Sequence, residues 1–365
     1  MFEKRIKNLQ GFLSEHEIDA LLITSAYNIA YLTGVHAFSI EEREARILVT
    51  KQNCYLFTDA RYLEMIKEKA SFVTLCEIVN SNPLSKQLKA VIKKENIKEL
   101  GFEEENITYK EASDLEETLA DVEFIPTVEI VENLRTIKDS YEIENIRKAC
   151  ALTDRGFDYV LTILKPGVTE LEIKAKLENF IRLEGGDVAF QSIVAFGKNS
   201  AIPHHLSTNY KLQTTDLILL DFGAKVNGYC SDMTRTVFLG KPNEKFQNMY
   251  NATKEAQEVT IDYIKTHMND KFELKNAHLL ANNHLHTLGF SDVPHSLGHG
   301  VGLQVHEMPM VSPFSDEKLS PGMIITVEPG VYINSTGGVR IEDTALVTPN
   351  GLELLTKSPK GLTVI

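Results

Sequence analysis

The sequence predicts a two-domain chain: an α/β domain over residues 1–131, followed by an α+β domain over 132–365 assembled from two similar halves. Three observations lead there. The first third alternates short apolar strand signals with helical ones. The remainder repeats one order twice, a pair of helices and then strands that carry carboxylates inside apolar sequence. Finally, 365 residues at 43% hydrophobic content suffice for two buried cores.

In the first domain, the N-terminus starts an amphipathic helix and lacks the apolar core of a signal peptide. Asp19 to Thr24 reads as a strand, and Arg46–Thr50 and Cys54–Thr58 pair across Lys51-Gln-Asn. Helices are expected over Ala60–Ala70, Pro83–Glu95 and Tyr109–Leu119, with a strand at Leu100-Gly-Phe. No glycine-rich phosphate loop follows the first strand, so nucleotide binding is not supported. A connector from Val128 runs into a helix over Ser140–Leu164, which Lys165-Pro-Gly stops; a second helix from Thr169 ends at Gly185-Gly186. After a strand at Ser192–Phe196 and a hairpin, helices at Glu244–Met268 and Leu274–Leu288 repeat the pattern.

The hairpin holds the first candidate site residues. Asn227-Gly228 between β-formers signals a type I′ turn, whose two central residues need positive φ. Val226 then faces Tyr229, and the two-residue side-chain period puts Asp221 opposite Thr234 and Asp232 opposite Gly223 on one face. The two carboxylates become diagonal neighbours with backbones roughly 7–8 Å apart. So close together they repel, unless a cation sits between them. The glycine is expected to leave the space before Asp232 open.

A second acidic pair follows. Met323 to Ile333 and Gly338 to Val347 are strands around a turn-rich segment, and parity puts Glu328 and Glu342 on one face as diagonal neighbours. Glu328 ends an apolar run typical of a buried strand, which argues against an exposed carboxylate. Between the acidic pairs lies Pro294-His295-Ser-Leu-Gly-His299-Gly-Val-Gly-Leu-Gln-Val-His306, with three of the chain's 11 histidines. Gly298, Gly300 and Gly302 disfavour a helix there and favour close approach of backbone to a ligand. One histidine is more often structural; three beside four carboxylates point to a site. Four carboxylates and an imidazole suit two divalent cations, Mn²⁺ first, with Co²⁺, Zn²⁺ or Fe²⁺ compatible by ligand type. Such a pair acidifies water and polarises carbonyls, which suggests hydrolysis.

Composition narrows the partners. A net charge of −13 excludes a general nucleic-acid or anionic-membrane surface, and no apolar run reaches bilayer-spanning length. Four cysteines, Cys54, Cys76, Cys150 and Cys230, show no CxxC spacing and fit reduced thiols in a cytoplasmic protein. Three glycosylation-type triplets, at Asn106, Asn251 and Asn334, are then chance matches.

Asp221 and Asp232 in an LDFGA…SDMTRT setting, His299 in HSLGHGVGL, Glu328 in TVEPGVY and Glu342 in GVRIEDT resemble the pita-bread dinuclear metallopeptidases. The first domain and the connector Leu134-Arg-Thr-Ile-Lys-Asp-Ser-Tyr-Glu-Ile place the likeness in the branch of Xaa-Pro aminopeptidases and Xaa-Pro dipeptidases, or prolidases. The resemblance spans essentially the whole chain. It implies a creatinase-type N-terminal domain and a pita-bread, creatinase/aminopeptidase-like catalytic domain with pseudo-two-fold halves. It also implies that Asp221 chelates one metal, Asp232 and Glu342 bridge both, and His299 and Glu328 complete the other. Glu328 is then also the base that moves the proton of the activated water to the leaving nitrogen. His295 and His306 would hold substrate and stabilise the oxyanion, His204 would contact it near its proline, with adjacent His205 the competing assignment, and Arg340 would support the acidic cluster from behind. A homodimer is a family-level expectation.

The expected substrates are Xaa-Pro peptides, whose scissile bond is a tertiary amide without an N–H. In some prolidases an arginine shortly after the HExP motif binds the dipeptide carboxylate; Met310 stands there, which tilts the expectation toward an aminopeptidase with prolidase as the alternative. A non-catalytic peptide-binding relative or a metal-free, creatinase-like hydrolase would be expected to lose ligands, and all five are kept. Asp221-Phe-Gly matches a kinase metal-binding triplet, but no glycine-rich loop or His-Arg-Asp motif accompanies it.

Overall fold

A computed structural model describes residues 1–267 and 272–365. The chain divides into two compact units, Met1–Arg135 and Thr136–Ile365.

The first unit is a six-stranded mixed sheet in the order Thr74–Glu77, Cys54–Thr58, Ala45–Thr50, Ala20–Ile23, Glu99–Glu103, Glu123–Thr127. Its central strands are largely buried, and the sheet packs Leu22, Leu48, Phe57 and Leu100 against Leu88 and Ile92 of the helix Leu84–Glu95. The hairpin across Lys51-Gln-Asn forms as expected, with Val49 facing Cys54. The expected helix at Ala60–Ala70 begins later, at Leu63, after a turn in which the Asp59 carboxylate bonds the Arg61 backbone and side chain. A helix at Ala26–Thr33 has no counterpart among the elements expected from the sequence.

In the second unit each half opens with two helices. Ser140–Ile163 and Glu170–Leu183 precede the first hairpin; Glu244–His267 and Leu274–Thr287 precede the second. Met268, the expected end of the third helix, lies outside the described residues. Asp139 and Thr169 cap the first two helices through reciprocal boxes with Glu142 and Glu172, satisfying amide groups that a helix start leaves open.

The first hairpin has the expected register. Thr234 faces Asp221 and Val226 faces Tyr229, and Asn227 and Gly228 take φ of 50° and 85°. The ladder is interrupted at Gly223, where a Cβ would lie 1.9 Å from the Ser231 carbonyl oxygen. The glycine therefore serves close approach of two strands rather than an opening before Asp232. Thr153 and Ser231 hydroxyls fill the break, both reaching the Ala224 amide at 2.9 and 3.0 Å.

The second hairpin pairs Val327 with Asp343 and Gly330 with Arg340. That common register places Glu328 and Glu342 directly across from each other rather than diagonally, still on one face. The ladder breaks here too, and the Gln257 side-chain amide donates to the carbonyls of Val327 and Ile341 at 3.0 and 3.3 Å. Thr153 and Gln257 occupy the same position of their helices, counted from Ser140 and from Glu244. The halves thus share a device: a polar side chain of the long helix repairs the strand break beside the carboxylates.

The two hairpins meet edge to edge. The Glu342 amide donates to the Thr234 carbonyl at 3.1 Å, and the Thr344 hydroxyl donates to the Asp232 carbonyl at 2.7 Å. Each half keeps its own core, one around Phe157, Ile218 and Phe222, the other around Ile264, Ile325 and Val327.

Candidate metal centre

Each of the five expected ligands sits at or beside a break in a strand. Asp221 is next to last in Leu217–Phe222, and Asp232 immediately precedes Met233–Phe238. His299 is the middle of Gly298–Gly300, Glu328 follows Ile324–Val327, and Glu342 precedes Asp343–Thr348. Asp221, Asp232 and Glu342 each offer an oxygen, the three within 4.8 Å of one another; His299, Glu328 and Glu342 form a second such group, and Asp232, His299 and His306 a third. Two groups share Glu342 and two share Asp232, the arrangement expected of carboxylates that serve two neighbouring cations.

The glycines around His299 answer to the sheet, not to a ligand. A Cβ on Gly298 would lie 2.0 Å from the Thr326 carbonyl oxygen, and one on Gly300 2.2 Å from that of Met308. The close packing this allows leaves His299 5% exposed, with Nδ1 donating to the Gly300 carbonyl at 3.1 Å. Its Nε2 is therefore the free ligating atom, 3.3 Å from Glu328 Oε1 and 3.6 Å from Asp232 Oδ2.

The electrostatics fit a cation. Asp232 Oδ1 and Glu342 Oε1 are buried and have no hydrogen-bond partner among the described residues. Burial, then the Glu342 and Asp221 charges, push Asp232 well above the usual carboxylate range; burial, then Glu328 and Asp221, do the same to Glu342. Burial also raises Asp221, against the opposing pull of Arg340, whose guanidinium it contacts. For Glu328, burial is outweighed by the hydrogen bond and charge of His299 and by His295, which hold it at about 2. Burial disfavours a charged His299, but its hydrogen bond to Glu328 raises its pKa overall. A proton on Nε2 would stand where a cation would, and metal would displace it. Donor set, orphaned oxygens and mutual repulsion all suit divalent ions.

These residues line one cavity of about 380 Å³, and His204, His295, His306 and Arg340 line it with them. The eight expected site residues are thus brought together. His204 faces the cavity; His205 turns away, bonded to the Glu170 carboxylate at 2.9 Å. His295 donates through Nδ1 to the Ser296 carbonyl at 2.8 Å and accepts at Nε2 from the Tyr332 hydroxyl at 2.9 Å. Burial lowers the His295 pKa, and burial with the His299 charge lowers that of His306 to about 4, so His306 is neutral near neutral pH.

Compared with known proteins, residues 144–349, which contain all six clustered residues, match the model of metallopeptidase family M24. This chain belongs to that family. Residues 5–137 match the creatinase/prolidase N-terminal domain. An uncharacterized peptidase, YqhT, of Bacillus subtilis (strain 168) is 37% identical over 364 residues, 99% of each chain. The solved structure of an Xaa-Pro dipeptidase from Bacillus anthracis superposes with a TM-score of 0.93 at 35% identity, covering 100% of both chains. That of an X-Pro aminopeptidase from Thermotoga maritima gives 0.87 at 32% identity, over 96% of this chain and 99% of that one. An M24 chain is a metallopeptidase, and the fold expected from the sequence is the one found.

Several residues of this M24 site escape sequence reasoning. Thr234 donates to Glu342 Oε2 at 2.6 Å, a contact available from its rung opposite Asp221. Tyr332 accepts from Arg340 at 2.7 Å and orients His295. Phe190 and Val305 supply apolar wall; nothing in their local sequence marks them.

Proposed function

We propose that this M24 metallopeptidase hydrolyses the Xaa-Pro bond at the N-terminus of peptides, using two divalent ions held by Asp221, Asp232, His299, Glu328 and Glu342. The observation that carries the reading is the convergence of these five residues, with orphaned buried carboxylate oxygens, on a cavity that also presents three histidines. When bound, such ions supply a water acidified toward neutral pH and a Lewis acid for the scissile carbonyl.

The chain's own residues supply the rest. Glu328, ionised at neutral pH, takes the proton from the attacking water and delivers it to the proline nitrogen, which has no N–H of its own. His295, fixed as the Nδ1–H tautomer by Ser296 and Tyr332, and neutral His306 hold the substrate carbonyl region. His204, beside Pro203 on the cavity wall, contacts the substrate near its proline ring. Mn²⁺ is the preferred ion on its oxygen-rich donor set. Four free cysteines support a reducing, cytoplasmic setting, and a homodimer is the proposed assembly.

Two substrate lengths are in play. The dipeptidase relative matches somewhat better in both fold and identity than the aminopeptidase relative, which favours Xaa-Pro dipeptides. Longer peptides are favoured by one feature of the cavity: among the described residues its lining has Met310, no lysine and one arginine, Arg340, already engaged by Asp221 and Tyr332. A free C-terminal carboxylate beside the proline therefore has no uncommitted guanidinium or ammonium partner in that lining. Rates of the Mn²⁺-loaded chain on an Xaa-Pro dipeptide and an Xaa-Pro-Yaa tripeptide separate these. Cleavage of the dipeptide alone makes it a prolidase, cleavage of the tripeptide an aminopeptidase, and cleavage of neither refutes the Xaa-Pro reading.

A further inference from the structure

The connector motif containing Lys138 has no part in the chemistry above, and neither has Glu307 of the HExP motif. Both side chains are buried, that of Lys138 fully covered and that of Glu307 6% exposed, and they form an ion pair at 2.9 Å. The pair lies beneath the segment that carries His306. Among the described residues no hydrogen bond fixes the His306 ring, which packs edge-on to His299 at 4.3 Å and is otherwise open to the cavity. Its aim is therefore set by the backbone of residues 302–307.

That backbone is held from two sides. The Cys230 amide, on the hairpin that bears Asp232, donates to the Gly302 carbonyl at 2.8 Å, and the Gly302 amide donates to that of Gln304 at 3.0 Å. On the other side Glu307 Oε2 accepts from the Gln304 amide at 3.2 Å while Oε1 meets Lys138. Gly302 makes the clasp possible, since a Cβ there would lie 2.2 Å from Glu307 Oε1. Lys138 is itself anchored, its amide donating to the Gly322 carbonyl at 2.9 Å. Removing one member of a buried pair leaves the other charge uncompensated, and the freed carboxylate or ammonium then seeks water.

We infer that Lys138 and Glu307 are a positioning pair that sets the reach of His306 into the cavity, tying the connector to the peptidase site. The inference rests on the proposed role of His306 in substrate binding. It predicts a loss in turnover with metal retained, because the pair acts through the backbone that carries His306, which is not one of the five proposed ligands.

The test uses the full Mn²⁺-loaded chain and the variants K138M, E307Q, K138R and K138M/E307M, with H306A for reference. Misplacing a substrate-holding group by about 1 Å costs up to roughly 100-fold in rate, so K138M and E307Q are expected to lose about 10–100-fold in kcat with unchanged metal content. K138R, which keeps the charge, recovers much of it. In the H306A background K138M adds little, because both act through one side chain. The double variant, free of unpaired charge, guards against misfolding: it is expected to melt near the wild type yet stay slow. Wild-type kcat in the folded double variant, fully multiplying losses with H306A, or metal lost in parallel would each overturn the inference. Independently of turnover, and with diamagnetic Zn²⁺ in place of Mn²⁺, the imidazole signals of His306 should shift in the double variant while those of His295 hold; an unmoved His306 also overturns it. A wild-type chain inert on both Xaa-Pro peptides would instead count against the functional reading, and the imidazole signals would still decide the pair.

Discussion

Replacing Glu342 by Gln in the metal-free protein should raise its stability, although it removes a proposed ligand. Glu342 is 2% exposed, its Oε1 lacks a partner, and oxygens of Asp221 and Asp232 lie within 4.8 Å. A buried acceptor without a partner costs about 1–3 kcal/mol. Glutamine keeps the shape, can still accept from Thr234, and offers an N–H to the neighbouring carboxylates. A gain of about 2 kcal/mol in a unit the size of Thr136–Ile365 corresponds to a rise in Tm of roughly 4–8 °C. The pH dependence follows from the raised pKa of Glu342. Below the ordinary carboxylate range both folded and unfolded chains hold the proton and no penalty exists. As pH climbs above that range the unfolded chain ionises while the folded one retains its proton, so wild-type stability falls. The advantage of the variant should thus be small at pH 4.5 and grow toward pH 8. Metal reverses the order: free Mn²⁺ at 100 times its Kd stabilises the wild type by about 2.7 kcal/mol, and the variant by much less. Scanning calorimetry at several pH values, with chelator and then with Mn²⁺, measures both. A lower Tm for the chelated variant at pH 8, or equal stabilisation of the two proteins by Mn²⁺, would refute the electrostatic argument.

Two further outcomes are expected. Glu328→Gln should lower kcat by roughly 100- to 10,000-fold, the range of a lost general base, with the fold intact by circular dichroism; substantial turnover would remove Glu328 from that role. Gly223→Ala forces a methyl group against the Ser231 carbonyl and should cost about 3 kcal/mol or more along with Mn²⁺ binding by calorimetry, since Asp232 is the next residue on that strand; an unchanged Tm would mean the hairpin can splay at no cost.

Local rules determine what is legible in the sequence. The first hairpin's register follows from a turn whose two residues need positive φ and from a side-chain period of two, so the amino-acid order alone puts Asp221 and Asp232 on one face. The capped helices at Ser140 and Thr169 are equally plain. Parity alone cannot tell diagonal from opposite for Glu328 and Glu342, because both relations keep one face and only the ladder's register separates them. The glycines are recognisable as sites of close approach, but what approaches Gly223, Gly298 and Gly300 is backbone from strands remote in sequence or beyond a turn. Ala26–Thr33 is short and apolar on most sides, so it lacks the periodic signature of an amphipathic helix; only the capping Ser25 announces it. Contacts such as Lys138 with Glu307, and Tyr332 with His295, are set by tertiary packing and have no local trace.

The seam between the two hairpins bears on how the protein matures. Asp221 lies in one sheet that Asp232 borders, while His299 lies in another whose strands Glu328 and Glu342 flank, and backbone bonds such as that from Glu342 to Thr234 join them. A nascent chain therefore exposes two acidic side chains long before their partners are synthesised, and an ion met at that stage finds an incomplete cage. Each half has its own apolar core and can collapse around it first, with the long-range closure following more slowly. With the five proposed ligands divided in this way, ion capture would be a late step, and the metal supply in the compartment where folding finishes would decide which ion is taken up.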